Sequence, residues 1–252
     1  MDYDNMALNF FLRMLLGHLV GDFILQPYKI ALAKRAGWQG LIIHVSIVTF
    51  TTAVAIYRAT PNWIVWVVIL FGIHLFIDQF RTFKFKDNSN GKSFYLFVID
   101  QLVHVISIMV ISRLAVGWEF SSLAPIYTQT ISVANTIVLY ACLIIIAVWV
   151  VPILEVELAG AVMAKKSPAD KELVPIERSD RVMGAVERLL SVALIVLSKG
   201  LLIPLVFLPR LYWLLHQDSS PHKIAAYSKM GTSFITALVI GFPILFIPPF
   251  LN

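Results

Sequence analysis

The chain has 252 residues, 59% of them hydrophobic and only 14% charged, with a mean hydropathy of +0.82. A soluble domain carries about 25% charged residues, so water is not the main solvent of this chain, and an all-α bundle facing lipid is the class that fits. The net charge of +5 would suit a nucleic-acid binder, but the basic residues lie in short loops between apolar runs and read as topology signals, so no nucleic-acid partner is expected; the lone Cys142 excludes a disulfide framework and a thiolate metal motif.

Apolar runs of helical length occupy residues 7–26, 38–57, 63–80, 94–114 and 131–154. Each is close to the ~20 residues that cross ~30 Å of hydrocarbon. The breaks between them are Pro27 with Gly37, Pro61-Asn62, the polar stretch from Lys86 to Gly91, and the segment around Pro125. Five crossings follow directly. The stretch 182–216 is too long for one ordinary span and is interrupted by Lys199-Gly200, Pro204 and Pro209. One long kinked helix there, followed by a span at 232–250, makes seven crossings; two short helices turning at Lys199-Gly200 make eight.

The expected organisation is a single transmembrane domain over 1–252. Residues 1–115 form a four-helix half that holds the polar site, 131–252 supply the C-terminal helices, and the charged stretch 164–181, with Pro168 and Pro175, is a cytoplasmic connector. Lys29, Lys34, Arg35, Arg81, Lys84, Lys86, Lys92, Lys165, Lys166, Lys171, Arg178 and Arg181 fall in alternate loops, against Arg58 and Arg113 in the others. The positive-inside rule then puts the N-terminus outside, and Arg210, Lys223 and Lys229 favour eight crossings. Trp38, Trp63, Trp66, Trp118 and Tyr127 are expected in interfacial belts, Glu155 and Glu157 at a solvated helix end, and Glu187-Arg188 as an interfacial anchor.

The polar residues within the apolar runs carry the chemistry. The first run holds His18 and Asp22, the second His44, the third His74 and Asp78, and the fourth Asp100, Gln101 and His104. Even a mild insertion scale charges about 3 kcal/mol for a central Asp, so these groups should face one another or water. His18/Asp22, His74/Asp78 and Asp100/His104 are spaced i, i+4, which puts both members on one helix face. Because the fourth run travels opposite to the first and third and reads Asp before His, all three histidines lie on one level. The aspartates lie about 6 Å nearer the cytoplasmic end. His44 falls near the same layer. Residues 17–23 echo 73–79 and residues 41–45 echo 101–105, as an ancient doubling of a helix pair would leave them.

Imidazole with carboxylate and no thiolate suits zinc, manganese or iron, and the number of donors allows one or two ions. His18, Asp22, His44, His74, Asp78 and His104 are the expected ligands, His44 alternatively as a partner that holds a ligand, with Asp100 as general base or a further ligand. The competing reading is that the same groups are hydrogen-bonded glue between helices or a proton relay.

At these residues the chain resembles a family of bacterial membrane proteins catalogued as a domain of unknown function, family 3307. The resemblance rests on His18-Leu19-Val20-Gly21-Asp22-Phe23-Ile24-Leu25-Gln26 followed by Pro27, continues through His44, His74, Asp78, Asp100, Gln101 and His104, and returns at Met183 to Arg188 and Gly231 to Ser233. It implies a membrane fold with a polar site, located in a bacterial inner membrane, and it brings no activity. A more distant likeness, in the pattern of His and Asp within short membrane helices, is to membrane-bound metal-dependent hydrolases. The function expected is a metal-dependent hydrolase of a lipid or lipid-linked substrate in contact with membrane lipids. The alternatives are a non-catalytic subunit or assembly factor with protein partners in a larger membrane complex, and a proton- or metal-coupled transporter.

Overall fold

A computed structural model describes residues 3–84, 93–128, 130–166, 178–197, 199–216 and 222–244. All regular structure among them is helical. Five helices are long and apolar enough to cross a membrane, Tyr3–Ile24, Trp38–Ala55, Trp63–Phe83, Ser93–Val116 and Val133–Val162, and Gly200–His216 is a shorter apolar one. These five are the runs expected from hydropathy. The polar loop from Lys86 to Gly91, the core of the 164–181 connector and the end of the 232–250 span lie outside the described residues.

The chain groups into two compact units, Met1–Asp87 with Val98–Ile145, and Asn88–Phe97 with Ile146–Asn252. The first contains helices α1 (Tyr3–Leu19), α2 (Tyr28–Ala36), α3 (Trp38–Ala55), α4 (Trp63–Gln79), most of α5 (Ser93–Val116), the short α6 (Ala124–Tyr127) and α7 (Val133–Ile145). The α1 and α4 helices each run on into a π-helical turn, Val20–Ile24 and Phe80–Lys84.

Two glycines set the approach of α1 to α3. A Cβ on Gly17 would lie 2.4 Å from Thr52 Cα, and one on Gly21 would lie 2.5 Å from Val48 Cα. Four residues forward on one helix match four back on the other, so the two run antiparallel in backbone contact, the close approach that small residues spaced i, i+4 allow in lipid. Thr51 Oγ1 donates to the Gly17 carbonyl at 2.8 Å and ties the crossing. At the far end of α5, Gly117 takes φ +67° and reverses the chain, its N–H donating to Arg113 O at 2.9 Å. Beyond it Trp118 is buried and stacks on Phe11 at 4.8 Å, so it belongs to the core and not to an interfacial belt.

A polar clamp joins α1 to α7. Asn135 is buried, and its Nδ2 donates to Asn5 O at 2.8 Å while its Oδ1 accepts from Asn9 Nδ2 at 2.7 Å; Asn5 Nδ2 donates to Thr130 O at 3.0 Å and Asn5 Oδ1 accepts from Ser132 N at 2.9 Å. Without water to compensate, Asn135→Leu leaves several partners unpaired. We expect it to lower stability in detergent by about 1–3 kcal/mol, read as a fall in midpoint temperature.

The second unit contains α8 (Val151–Lys166), α9 (Arg178–Val196), the short α10 (Ile203–Val206), α11 (Leu208–His216) and α12 (His222–Ile244). Arg210 Nη1 donates to Glu187 Oε2 at 2.9 Å. A continuous helix would hold residues so far apart in sequence about 35 Å from each other, so the chain doubles back at Lys199-Gly200, and the long kinked helix is excluded. Ile203 and Phe207 close the hairpin by packing on Ile195.

Glu155, Glu187, Arg188 and Arg210 of this unit are internal. Arg188 has no exposed surface; its Nε donates to Ala147 O at 2.6 Å and its Nη1 to Glu155 Oε1 at 2.5 Å and Ser233 Oγ at 2.9 Å. Glu155 is therefore not a solvated helix end, because α8 continues for three turns beyond it. Glu187 and Arg188 are likewise buried ion-pair members and not an interfacial anchor.

Candidate metal centre

The centre lies wholly within the first unit. The i, i+4 spacing that the sequence shows on α1, α4 and α5 is realised: His18, His74 and His104 gather, with ring centroids 5.4 Å (18–74), 5.1 Å (18–104) and 4.3 Å (74–104) apart. His44 reaches in from α3, its ring 5.6 Å from that of His74. Its Nε2 lies 3.2 Å from Asp22 Oδ1 and 3.1 Å from Asp78 Oδ2, so it sits between two carboxylates. All four histidines and Asp22, Asp78 and Asp100 are buried.

The helices explain how this arises. The Gly17 and Gly21 contacts bring α1 against α3 at the level of His18 and Asp22. Asp22 itself stands in the π-helical turn Val20–Ile24, a local widening that often marks functional positions.

Five imidazole nitrogens in this cluster have no hydrogen-bond partner: both of His18, Nδ1 of His44, Nδ1 of His74, and Nε2 of His104. His44 Nε2 and His74 Nε2 face carboxylate oxygens, the latter 3.3 Å from Asp78 Oδ2. His104 Nδ1 is different. It lies 2.8 Å from the Asp100 carbonyl, which only accepts, so Nδ1 carries the proton and Nε2 keeps its lone pair. That is how ligating histidines are commonly held.

Two triads emerge, Asp22, His44 and His74, and His74, Asp78 and His104, each with donor atoms all within 4.8 Å of one another. Donors on one tetrahedral ion with bonds of about 2.1 Å lie about 3.4 Å apart, so side-chain shifts of about 1 Å close either set. His74 belongs to both triads, and the donors do not divide by sequence repeat, since Asp22 and His44 share the His74 of the other echo. His18 stands beside the triads, its Nε2 3.9 Å from Asp22 Oδ2. Asp100 is outside them as well. Its Oδ2 accepts from Arg81 Nη1 at 2.6 Å and from Gln101 Nε2 at 3.1 Å, while its Oδ1 is buried without a hydrogen bond.

Two residues of the centre escape a reading of the sequence. Lys34, on the short α2, is buried with its Nζ 2.7 Å from Asp78 Oδ2, and Arg81 pairs with Asp100. Both look like ordinary inside-loop positive charges. Arg81 lies three residues after Asp78 on the same helix and so on the same face, which is a usable signal; for Lys34 the sequence holds none.

The fold and the cluster define a helical, membrane-type protein with a buried His/Asp centre able to hold a metal ion. Over residues 10–134 the chain matches the model of the family described as protein of unknown function (DUF3307), and the matched segment contains every residue of the centre. The further likenesses at Met183 to Arg188 and Gly231 to Ser233 lie outside the matched segment. No curated protein and no solved structure matches the chain.

Proposed function

We propose that the first unit is a divalent-metal centre, holding one or two ions of zinc, manganese or iron, and that it hydrolyses an ester in a lipid or lipid-linked substrate. The observation that carries the metal is the pair of His/Asp triads, with five imidazole nitrogens of the cluster left without hydrogen bonds beside carboxylates. A buried polar group without a partner costs about 1–3 kcal/mol, so a purely structural cluster would be a poor use of so many histidines. His74, with Asp22 and His44 on one side and Asp78 and His104 on the other, would hold the ions, and His18 completes the imidazole layer.

A bound divalent ion supplies Lewis acidity and makes water a usable nucleophile near neutral pH. Asp100 would take the proton of the attacking water through Oδ1, a role supported by its unpaired Oδ1 while Arg81 and Gln101 hold its other oxygen. The hydroxyl joins the acyl carbon or phosphorus, the ester C–O or P–O bond breaks, and the departing alkoxide recovers the proton from Asp100. Burial of the cluster among spans favours a substrate that enters from the membrane. Counting the C-terminal hairpin as two short crossings and α12 as one gives eight crossings in a bacterial inner membrane, with the N-terminus outside.

A second reading has an observation in its favour. Lys34 on Asp78 and Arg81 on Asp100 already compensate two carboxylates, as a structural role in a membrane complex or a proton path would need. Metal content decides between them. Protein purified in mild detergent is expected to hold one or two equivalents of divalent metal, His74→Ala to hold almost none because both triads lose a ligand, and His18→Ala to retain most of it. Metal-free wild-type protein after supplementation with zinc, manganese and iron would end the metal reading.

A further inference from the structure

The two cations of the centre sit on the same side of it as the carboxylates. Asp22 is two residues from the end of its span at Ile24, Asp78 five from Phe83, and Asp100 seven from Ser93. At the helical rise this puts all three about 3–11 Å from the helix ends, with the histidines a turn deeper on each helix. Arg81 is as close as Asp22, two residues from Phe83, and Lys34 comes from α2, which follows the first span directly. Spans of this length end near the hydrocarbon boundary, which is followed by a headgroup layer about 5–7 Å thick. The cationic end of the centre therefore lies at the edge of the hydrocarbon, within a few ångströms of the headgroup layer. The α2 helix fits that level, because Tyr28 and Leu32 are exposed on it while Lys34 turns inward.

Charge balance adds a second argument. Asp22, Asp78 and Asp100 face Lys34 and Arg81, and Gln101 Nε2 lies 3.4 Å from Asp22 Oδ2 and 3.1 Å from Asp100 Oδ2. With neutral imidazoles these five side chains, among the described residues, sum to a single surplus negative charge. One divalent ion reverses the sign and two leave a larger positive surplus, in a place where unbalanced charge is costly. An ion drawing on Asp78 also competes with Lys34 for that carboxylate. A substrate with a neutral carboxylic ester leaves the positive surplus in place; an anionic phosphate offsets it and gives the ammonium and guanidinium charge-assisted partners.

We propose that the substrate of this centre is a phosphate ester, its phosphate seated on Lys34 and Arg81 at the carboxylate end of the cluster. This rests on the metal-centre reading and deepens it. Lys34 and Arg81 act as binding residues for the phosphate, in addition to holding Asp78 and Asp100.

The test is binding to the full-length, metal-loaded protein in a phosphate-free detergent, by calorimetry. The titrants are inorganic phosphate, a short-chain phosphatidic acid below its micellar concentration, and the corresponding short-chain diacylglycerol. Both phosphate-bearing ligands are expected to bind and diacylglycerol not to. Tighter binding of the lipid than of inorganic phosphate identifies a headgroup as the source, and equal binding a free phosphate compound. Lys34→Met is expected to weaken phosphate binding by about tenfold or more while metal per chain stays at the wild-type value. Lys34→Arg, which keeps the charge, should remain within a few-fold of wild type and shows that the effect is not a folding defect. Full metal content with no phosphate binding, or with affinity unchanged in Lys34→Met and Arg81→Met, overturns the proposal and leaves the metal centre standing. Absence of metal removes both.

Discussion

Gly21→Val is expected to leave almost no folded protein in detergent, and Gly21→Ala to lower stability by about 3 kcal/mol or more, because the first atom of any side chain here meets the backbone of the facing helix. A Cβ at Gly21 falls 2.5 Å from Val48 Cα and 2.6 Å from Thr51 Oγ1. Overpacking a well-filled site usually costs about 1–3 kcal/mol when side chains can yield, but here α1 and α3 themselves must separate. Gly17 makes the matching contact with Thr52, so neither end of the crossing can pivot to relieve the other. The separation would carry His18 and Asp22 away from His44, so any surviving protein should also lose metal. Gly72 is the control. It is exposed on α4, nothing lies near its would-be Cβ, and Gly72→Ala should be neutral or stabilising by up to about 1 kcal/mol through helix propensity. Thermal midpoint and metal per chain, measured on the three variants together, separate packing at the crossing from a general effect of losing glycine.

The second large effect concerns the other unit. Arg188→Met should destabilise the protein by about 3–5 kcal/mol, because it strands the buried Glu155 carboxylate without its guanidinium. It also leaves Ala147 O and Ser233 Oγ without their donor. Adding Glu155→Met in the same chain removes the stranded charge and should recover at least half of the loss, since apolar replacement of a buried pair is often tolerated. A double variant as unstable as the sum of the two single ones would show that the two side chains are not coupled. Glu187 and Arg210 provide an internal comparison, because their ion pair closes the hairpin at Lys199-Gly200 and joins α9 to α11.

The helical class, the five apolar spans and the membership of the His/Asp centre were legible in the sequence for a single physical reason. Lipid penalises every polar group it meets, so His18, Asp22, His74, Asp78, Asp100 and His104 at i, i+4 spacing must turn the same way along each helix, and toward one another. Periodicity and burial cost are local properties, and they were enough. The break at Lys199-Gly200 was visible on the same grounds, although only the Arg210–Glu187 contact shows that the chain reverses there and does not merely kink.

What the tertiary structure alone decided were the partnerships. Glu155 and Arg188 looked like groups at a helix end or an interface, and they prove to be each other's counter-ion because helices distant in sequence meet there. Lys34 was indistinguishable from a topology-setting lysine until α2 folded back and brought its ammonium to Asp78. Gly17 and Gly21 showed no more than an echo of a repeat, whereas the crossing of α1 with α3 makes them the spacers that set the centre's geometry. A charge or a glycine carries no mark of its partner in its own neighbourhood, because long-range pairing depends on where whole helices come to rest.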